Sequence, residues 1–190
     1  MGRMRFRRPE AILDEILVLR CQGGDGWALQ RLAERWHPRL LQHAQRLTGQ
    51  KDATDDAVQE AWLAIVRGLA RLDDPARFRA WAYRITGNKC RDWIRREQRR
   101  RRVRDRLARE PRPDAIDPEP AVAQEGRAGH SLGPALAALP ADRRSLLAMF
   151  YNDGLSVREI SEALGLAVGT VKSRLFHTRK MLRRSLEVDP

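Results

Sequence analysis

The chain has 190 residues, and its 37 lysines and arginines outnumber 25 aspartates and glutamates to give a formal charge of +12. That imbalance points to a polyanionic partner, most simply nucleic acid, and constrains no fold. No apolar run approaches the roughly 20 residues needed to span a bilayer, so membrane insertion is not expected. The basic start MGRMRFRRPE lacks the apolar segment and cleavage site of a signal peptide. Cys21 and Cys90 read as free thiols in a reducing compartment, and the four histidines are scattered. A cytoplasmic protein without metal or cofactor is expected, and no catalytic arrangement stands out.

Helix signals dominate and no stretch alternates polar and apolar residues long enough for a strand, so the chain is expected to be all-α. A first helix is expected from about Pro9 to Cys21, with Ile12, Ile16 and Leu19 on one side, stopped by Gly23-Gly24-Asp25-Gly26. A second runs from about Trp27 to Leu47. Thr48-Gly49-Gln50-Lys51 breaks it, and Asp52 is placed to cap a third helix reaching Leu69. Asp74 followed by Pro75 opens a fourth. It continues through FRAWAYRITGNKCRDWIRREQRRRR, with Gly87 as a weak point costing on the order of 1 kcal/mol against alanine. Between 91 and 109, ten arginines stand against Asp92, Glu97 and Asp105, a net +7. Such a run suits phosphate contact or a solvated helix end.

Composition then shifts. EPRPDAIDPEPAVAQEGRAG, with prolines at 111, 113, 118 and 120, reads as a flexible linker over 109–130. It separates a helical domain at 9–108 from a smaller one at 131–187. In the smaller domain Asp142 can cap a helix carrying Leu146, Leu147 and Phe150 that ends at Asn152-Asp153-Gly154. Ser156-Val157-Arg158-Glu159 is a capping box. The short helix behind it, with Ile160, Ala163 and Leu164 facing inward, stops at Gly165.

Next comes VKSRLFHTRKMLRR, 171–184. On a helix of about 100° per residue, Val171, Leu175, Thr178 and Leu182 form one stripe. Ser173, Phe176, His177, Lys180 and Arg184 lie opposite. A short capped helix, a glycine turn and a longer basic helix make a helix-turn-helix pattern, against the plainer reading of a helical hairpin with a solvated face. Phe176, in the middle of the basic face, is either a contact for apolar groove surface such as a thymine methyl or a packing residue.

At this point the residues resemble a family. LSVREISEALGLAVGTVKSRLFHTRKMLRRSL looks like region 4, the promoter-reading end of bacterial extracytoplasmic-function sigma factors. The stretch DATDDAVQEAWLAIVRGLARLDDPARFRAWAYRITGNKCRDWIRREQRRRR resembles region 2 of the same family. The resemblance implies a two-domain sigma factor that binds core RNA polymerase, recognises −10 and −35 promoter elements and leaves the chemistry to the polymerase. Asp55, Asp56, Gln59 and Glu60 are implied to dock on the clamp helices of the large polymerase subunits. Dipole complementation in a first helical turn explains Asp55 and Asp56 equally well.

In the −10 segment the family captures flipped, single-stranded bases while cations hold the backbone. Its pocket maps to the short loop at about Leu72 to Arg77. Arg77, Arg79, Arg84, Asn88, Lys89 and Arg91 are the candidates for backbone contact, and Phe78, Trp81 and Ile85 follow core spacing. For the −35 duplex the candidates are Thr170, Lys172, Ser173, Arg174, Phe176, His177 and Lys180, with Arg183 and Arg184 nearer the backbone. Promoter DNA is thus the second implied partner. Family members are often held by an anti-sigma factor, although no residue here identifies one. The alternative is a stand-alone helix-turn-helix regulator that binds operator DNA as a dimer, for which no heptad seam is present.

Overall fold

The computed structural model describes residues 9–107 and 132–187, which form eight α-helices and one 3₁₀ turn, without a strand among them. The fold is all-α. The linker expected over 109–130 lies outside the described residues.

The first domain comprises α1 (Pro9–Gln22), α2 (Gly26–Thr48), α3 (Lys51–Leu69) and α4 (Phe78–Leu107), with the 3₁₀ turn Pro75–Arg77 leading into α4. Asp25 starts α2 by accepting a bond from the Ala28 amide, and Gly49 ends it at φ 69°, a left-handed conformation that glycine adopts freely. Along α2, Ala28, Leu32, Trp36, Leu40, His43 and Ala44 make one buried stripe. The Trp36 ring stands edge-on to Phe78 at 5.4 Å and to Tyr83 at 5.8 Å, both from α4. Such perpendicular pairs suit the ring quadrupoles. Helix α3 offers small residues, Ala53, Ala57 and Ala61, to its neighbours. At Gly68 a Cβ would lie 2.8 Å from Trp81 Cζ2, so only glycine lets α4 approach there.

Two sequence expectations change. The side of α1 bearing Ile12, Ile16 and Leu19 faces solvent, and the helix buries Asp14, Leu17 and Val18 instead. This helix is apolar on more than one side, so periodicity does not select the packed one. Partnership decides it: Arg35 of α2 reaches Asp14 at 3.1 Å and satisfies one oxygen of that buried carboxylate. Second, Asp52 and Asp142 are not N-caps. Their helices start one residue earlier, at Lys51 and Ala141, without a side-chain cap bond from Gln50 or Pro140. Both aspartates sit in the first turn, where a negative charge favours the helix dipole.

The second domain comprises α5 (Leu132–Ala137), α6 (Ala141–Tyr151), α7 (Val157–Leu164) and α8 (Val168–Glu187). The capping box before α7 forms in both directions, with Glu159 N–H to Ser156 Oγ at 3.2 Å and Ser156 N–H to Glu159 Oε2 at 2.7 Å. Gly165 closes α7 at φ 65°.

The two domains pack together, α6 on α2 and α7 on α4, and one apolar cluster runs through both. At its polar edge His43 Nδ1 lies 2.9 Å from Ser145 Oγ of α6, with the Tyr83 ring of α4 at 4.9 Å on another side. Burial, then the positive charges of Arg46 and Arg91, hold the His43 imidazole down at about 3. An unfolded or opened chain would take up a proton near pH 6.5 that the folded chain declines. Stability is therefore expected to fall by about 1 kcal/mol over the first pH unit below 6.5, approaching about 1.4 kcal/mol per unit further down. Chemical denaturation between pH 6.5 and about 5.5, above the carboxylate range, checks this. His43→Asn should flatten the slope, and an unchanged slope would exclude His43 as its source.

Candidate functional site

The C-terminal face is built by burying the narrow stripe of α8. Val171, Leu175 and Thr178 are fully buried, and Leu182 packs partly against the core. The opposite side is thereby turned to solvent, with Thr170, Lys172, Ser173, Phe176, His177 and Lys180 all exposed. Arg174 is half-exposed, its guanidinium 3.9 Å from Asp142, and its carbonyl accepts bonds from Arg143 and Thr178. Phe176 is 62% exposed, and its ring contact is its own neighbour His177 at 5.5 Å. It lines an open groove with Arg179, Lys180, Arg183 and Arg184. Among the described residues Phe176 is therefore no part of the core. The groove combines apolar floor and cationic walls with no acid among its lining residues, chemistry suited to a polyanion that also presents apolar edges.

On α4, Arg84, Asn88 and Arg91 are exposed along one side, and Arg91 donates to Asn88 Oδ1. The other three cations of that set are ion-paired to the protein's own acids, Arg77 at the surface and Arg79 buried. Lys89 Nζ is 3.1 Å from Glu60. Arg77 lies 3.2 Å from Glu162 of α7. Arg79 is only 6% exposed, donates to the backbone carbonyl of Asp153, and stands 3.6 Å from Glu159. A cleft between the domains is lined by Leu72, Arg77, Ala80, Trp81 and Arg84 on one side and Glu162 on the other. Phe78 is wholly buried, and Trp81 and Ile85 pack partly against the same cluster, in keeping with core spacing.

On α3, Asp55, Asp56 and Gln59 are exposed, since Ala53, Thr54, Ala57 and Val58 occupy the inward positions. Glu60 is tied back to α4 by Lys89 and by Arg96 at 3.3 Å. The Lys89 hydrogen bond, then Arg96, hold its carboxyl below the ordinary value. Leu63 and Val66, both exposed, continue the same face one and two turns on.

Sequence reasoning missed the acidic and polar partners across the domain boundary. Glu159 was legible only as a cap, and it serves Arg79 as well. Glu162 and Asp153 carried no local signal, and neither did the pairing of His43 with Ser145, because each depends on contacts between distant parts of the chain.

Comparison with known proteins agrees with this arrangement. A model of Sigma-70 region 2 matches residues 32–100, and one of Sigma-70 region 4 matches residues 131–182. Together they cover well over half of the chain. Over 137 residues, or 70% of its length, the chain is 34% identical to the probable RNA polymerase sigma factor RfaY of Xanthomonas campestris pv. campestris. It spans about a third, 34%, of that relative. Against the ECF RNA polymerase sigma-E factor of Escherichia coli K12 it is 28% identical, covering 94% of this chain and 96% of the other. The structure of the sigma factor RpoE in complex with the anti-sigma factor NepR from Bartonella quintana matches with a TM-score of 0.61 at 26% identity. That match covers 85% of this chain and 98% of the solved one. The chain belongs to the sigma-70 family of RNA polymerase sigma factors and, within it, to the extracytoplasmic-function group. None of the described helices is long and apolar enough to cross a membrane.

Because Phe176 supports no core, Phe176→Ala is expected to leave the melting temperature unchanged. Affinity for a cognate −35 duplex should fall about fivefold, roughly 1 kcal/mol. Calorimetry and fluorescence anisotropy on the same preparation check both halves. A lowered melting temperature with unchanged affinity would return Phe176 to a packing role.

Proposed function

We propose that this chain binds core RNA polymerase through α3, reads the −35 duplex with α8 and captures the melted −10 strand with α4. The observation that carries the reading is charge segregation. In a chain of +12, the exposed face of α3 holds Asp55, Asp56 and Gln59, whereas the exposed face of α8 holds cations around an exposed phenylalanine. An acid-rich face suits a protein partner, and a cationic one suits DNA. The polymerase supplies the catalysis. The domains are assigned to 9–108 and 131–187, with 109–130 as a tether that lets them meet two promoter elements at a fixed spacing. The cytoplasm is the compartment such a function requires. By analogy with the Bartonella complex, an anti-sigma factor is a third expected partner.

Purified chain added to core polymerase is expected to give promoter-specific transcripts. A chain that neither initiates on any genomic fragment nor co-purifies with core would end this reading. Asp56→Lys is expected to weaken core binding about tenfold and to leave −35 duplex binding and melting temperature unchanged. Glu60→Lys should weaken core binding and also lower the melting temperature, because it sets a cation against Lys89 and Arg96. Unchanged core affinity in Asp56→Lys would remove α3 from the interface.

A further inference from the structure

Helix α1 reaches, through its last side chain, the loop that leads from α3 into α4. The ends of this loop are pinned, since Gly68 lies against Trp81 and Phe78 is wholly buried. Between them the backbone makes only short bonds of its own. Leu72 N–H donates to Leu69 O at 3.2 Å, Ala76 N–H to Asp74 Oδ1 at 3.0 Å and Arg77 N–H to Asp74 O at 3.0 Å. The middle of the loop, Ala70 to Asp73, is exposed apart from half-buried Leu72. Gln22 of α1 supplies the anchor that the middle lacks. Its Nε2 donates to Leu72 O at 2.8 Å and to Leu69 O at 3.1 Å, across 50 and 47 positions of sequence. An amide nitrogen carries two hydrogens, and both are used here. Among the described residues no other hydrogen bond ties the backbone of 70–77 to another element.

The donor is itself held in place. The amides of Gly23, Gly24 and Asp25 close the end of α1 onto the carbonyls of Leu19, Cys21 and Arg20, and the Arg20 guanidinium pairs with Asp25 at 2.6 Å. We propose that Gln22 is a positioning residue for −10 specificity. It fixes Leu72 on the rim of the cleft formed with Arg77, Ala80, Trp81 and Arg84, and so sets which base that cleft accepts. This rests on the reading of Leu72 to Arg77 as the strand-capture loop. Gln22 does not line the cleft, so it acts through the loop and not by touching the strand. Discrimination between bases depends on contacts that the correct base makes and the wrong one misses. When one wall of the cleft shifts, the correct base loses those contacts and its advantage shrinks. A residue outside α3 and α4 thereby governs a site that those two helices and their loop build.

The test uses holoenzyme assembled from the full chain and core polymerase, on a genomic fragment from which it initiates. Each −10 position carries every base in turn, and the readout is the transcript from the preferred base divided by that from the others. Gln22→Met keeps the length of the side chain and removes both donors, and Gln22→Glu keeps its shape and does the same. Gln30→Met, on the exposed face of α2, is the control. Both Gln22 variants are expected to lower the preference at one −10 position about fivefold, and Gln30→Met should match the unsubstituted chain. The ratio is internal to one preparation. Loss of folded protein lowers all yields together and leaves it unmoved, so a merely structural role for Gln22 would not change it. An unchanged ratio in either Gln22 variant overturns the proposal. Leu72→Ala separates the two ways of failing. If it too leaves the preference unchanged, the loop is not the strand-capture site and the reading beneath the proposal fails. If Leu72→Ala alters the preference and the Gln22 variants do not, the reading stands and the positioning role falls.

Discussion

A guanidinium cannot be left alone in a protein interior, and Arg79 is 6% exposed. Its stem comes from the first turn of α4, beside Phe78, and that position is set by the Trp36–Phe78–Tyr83 cluster. Once α4 is fixed there, the arginine points at the neighbouring domain, and only acceptors supplied from outside the first domain can offset its desolvation. The Asp153 carbonyl and Glu159 are those acceptors. The placement of α7 against α4 follows, and with it the Arg77–Glu162 bridge and the seating of Ser145 on His43.

This docking orders the functional surfaces. The outer face of α8, proposed for the duplex, is exposed beside this contact. The exposed acids of α3 are likewise clear of it. The start of α4 is the face whose cations are already engaged, and it is the face assigned to a strand that exists only after melting. Glu60 adds a second link, since the side chain beside the acid-rich face of α3 also holds Lys89 and Arg96 on α4.

Much of this was legible in the sequence because it is written at short range. The stripe of Val171, Leu175 and Thr178 determined which side of α8 faces out. The Ser156–Glu159 box and Gly165 set the ends of α7. The all-α class followed from periodicity alone. The failures share one cause, dependence on a distant partner. Periodicity on α1 could not say which of two apolar sides would be buried, because the choice depends on Arg35 pairing with Asp14. Asp52 and Asp142 lie two residues beyond the observed caps, Gln50 and Pro140, since either a cap or a first-turn acid satisfies the same dipole. Arg79 looked like any surface arginine at the start of a basic helix. Its burial depends on residues more than 70 positions away, and no local pattern encodes that.

The most direct measurement is the distance between spin labels at Glu34→Cys on α2 and Met181→Cys on α8, in a chain carrying Cys21→Ser. The free protein should give one narrow distribution, and addition of core RNA polymerase should shift it to longer distances. A broad distribution in the free chain, or one that core polymerase leaves unchanged, would contradict the docking of the two domains as the state from which this sigma factor starts.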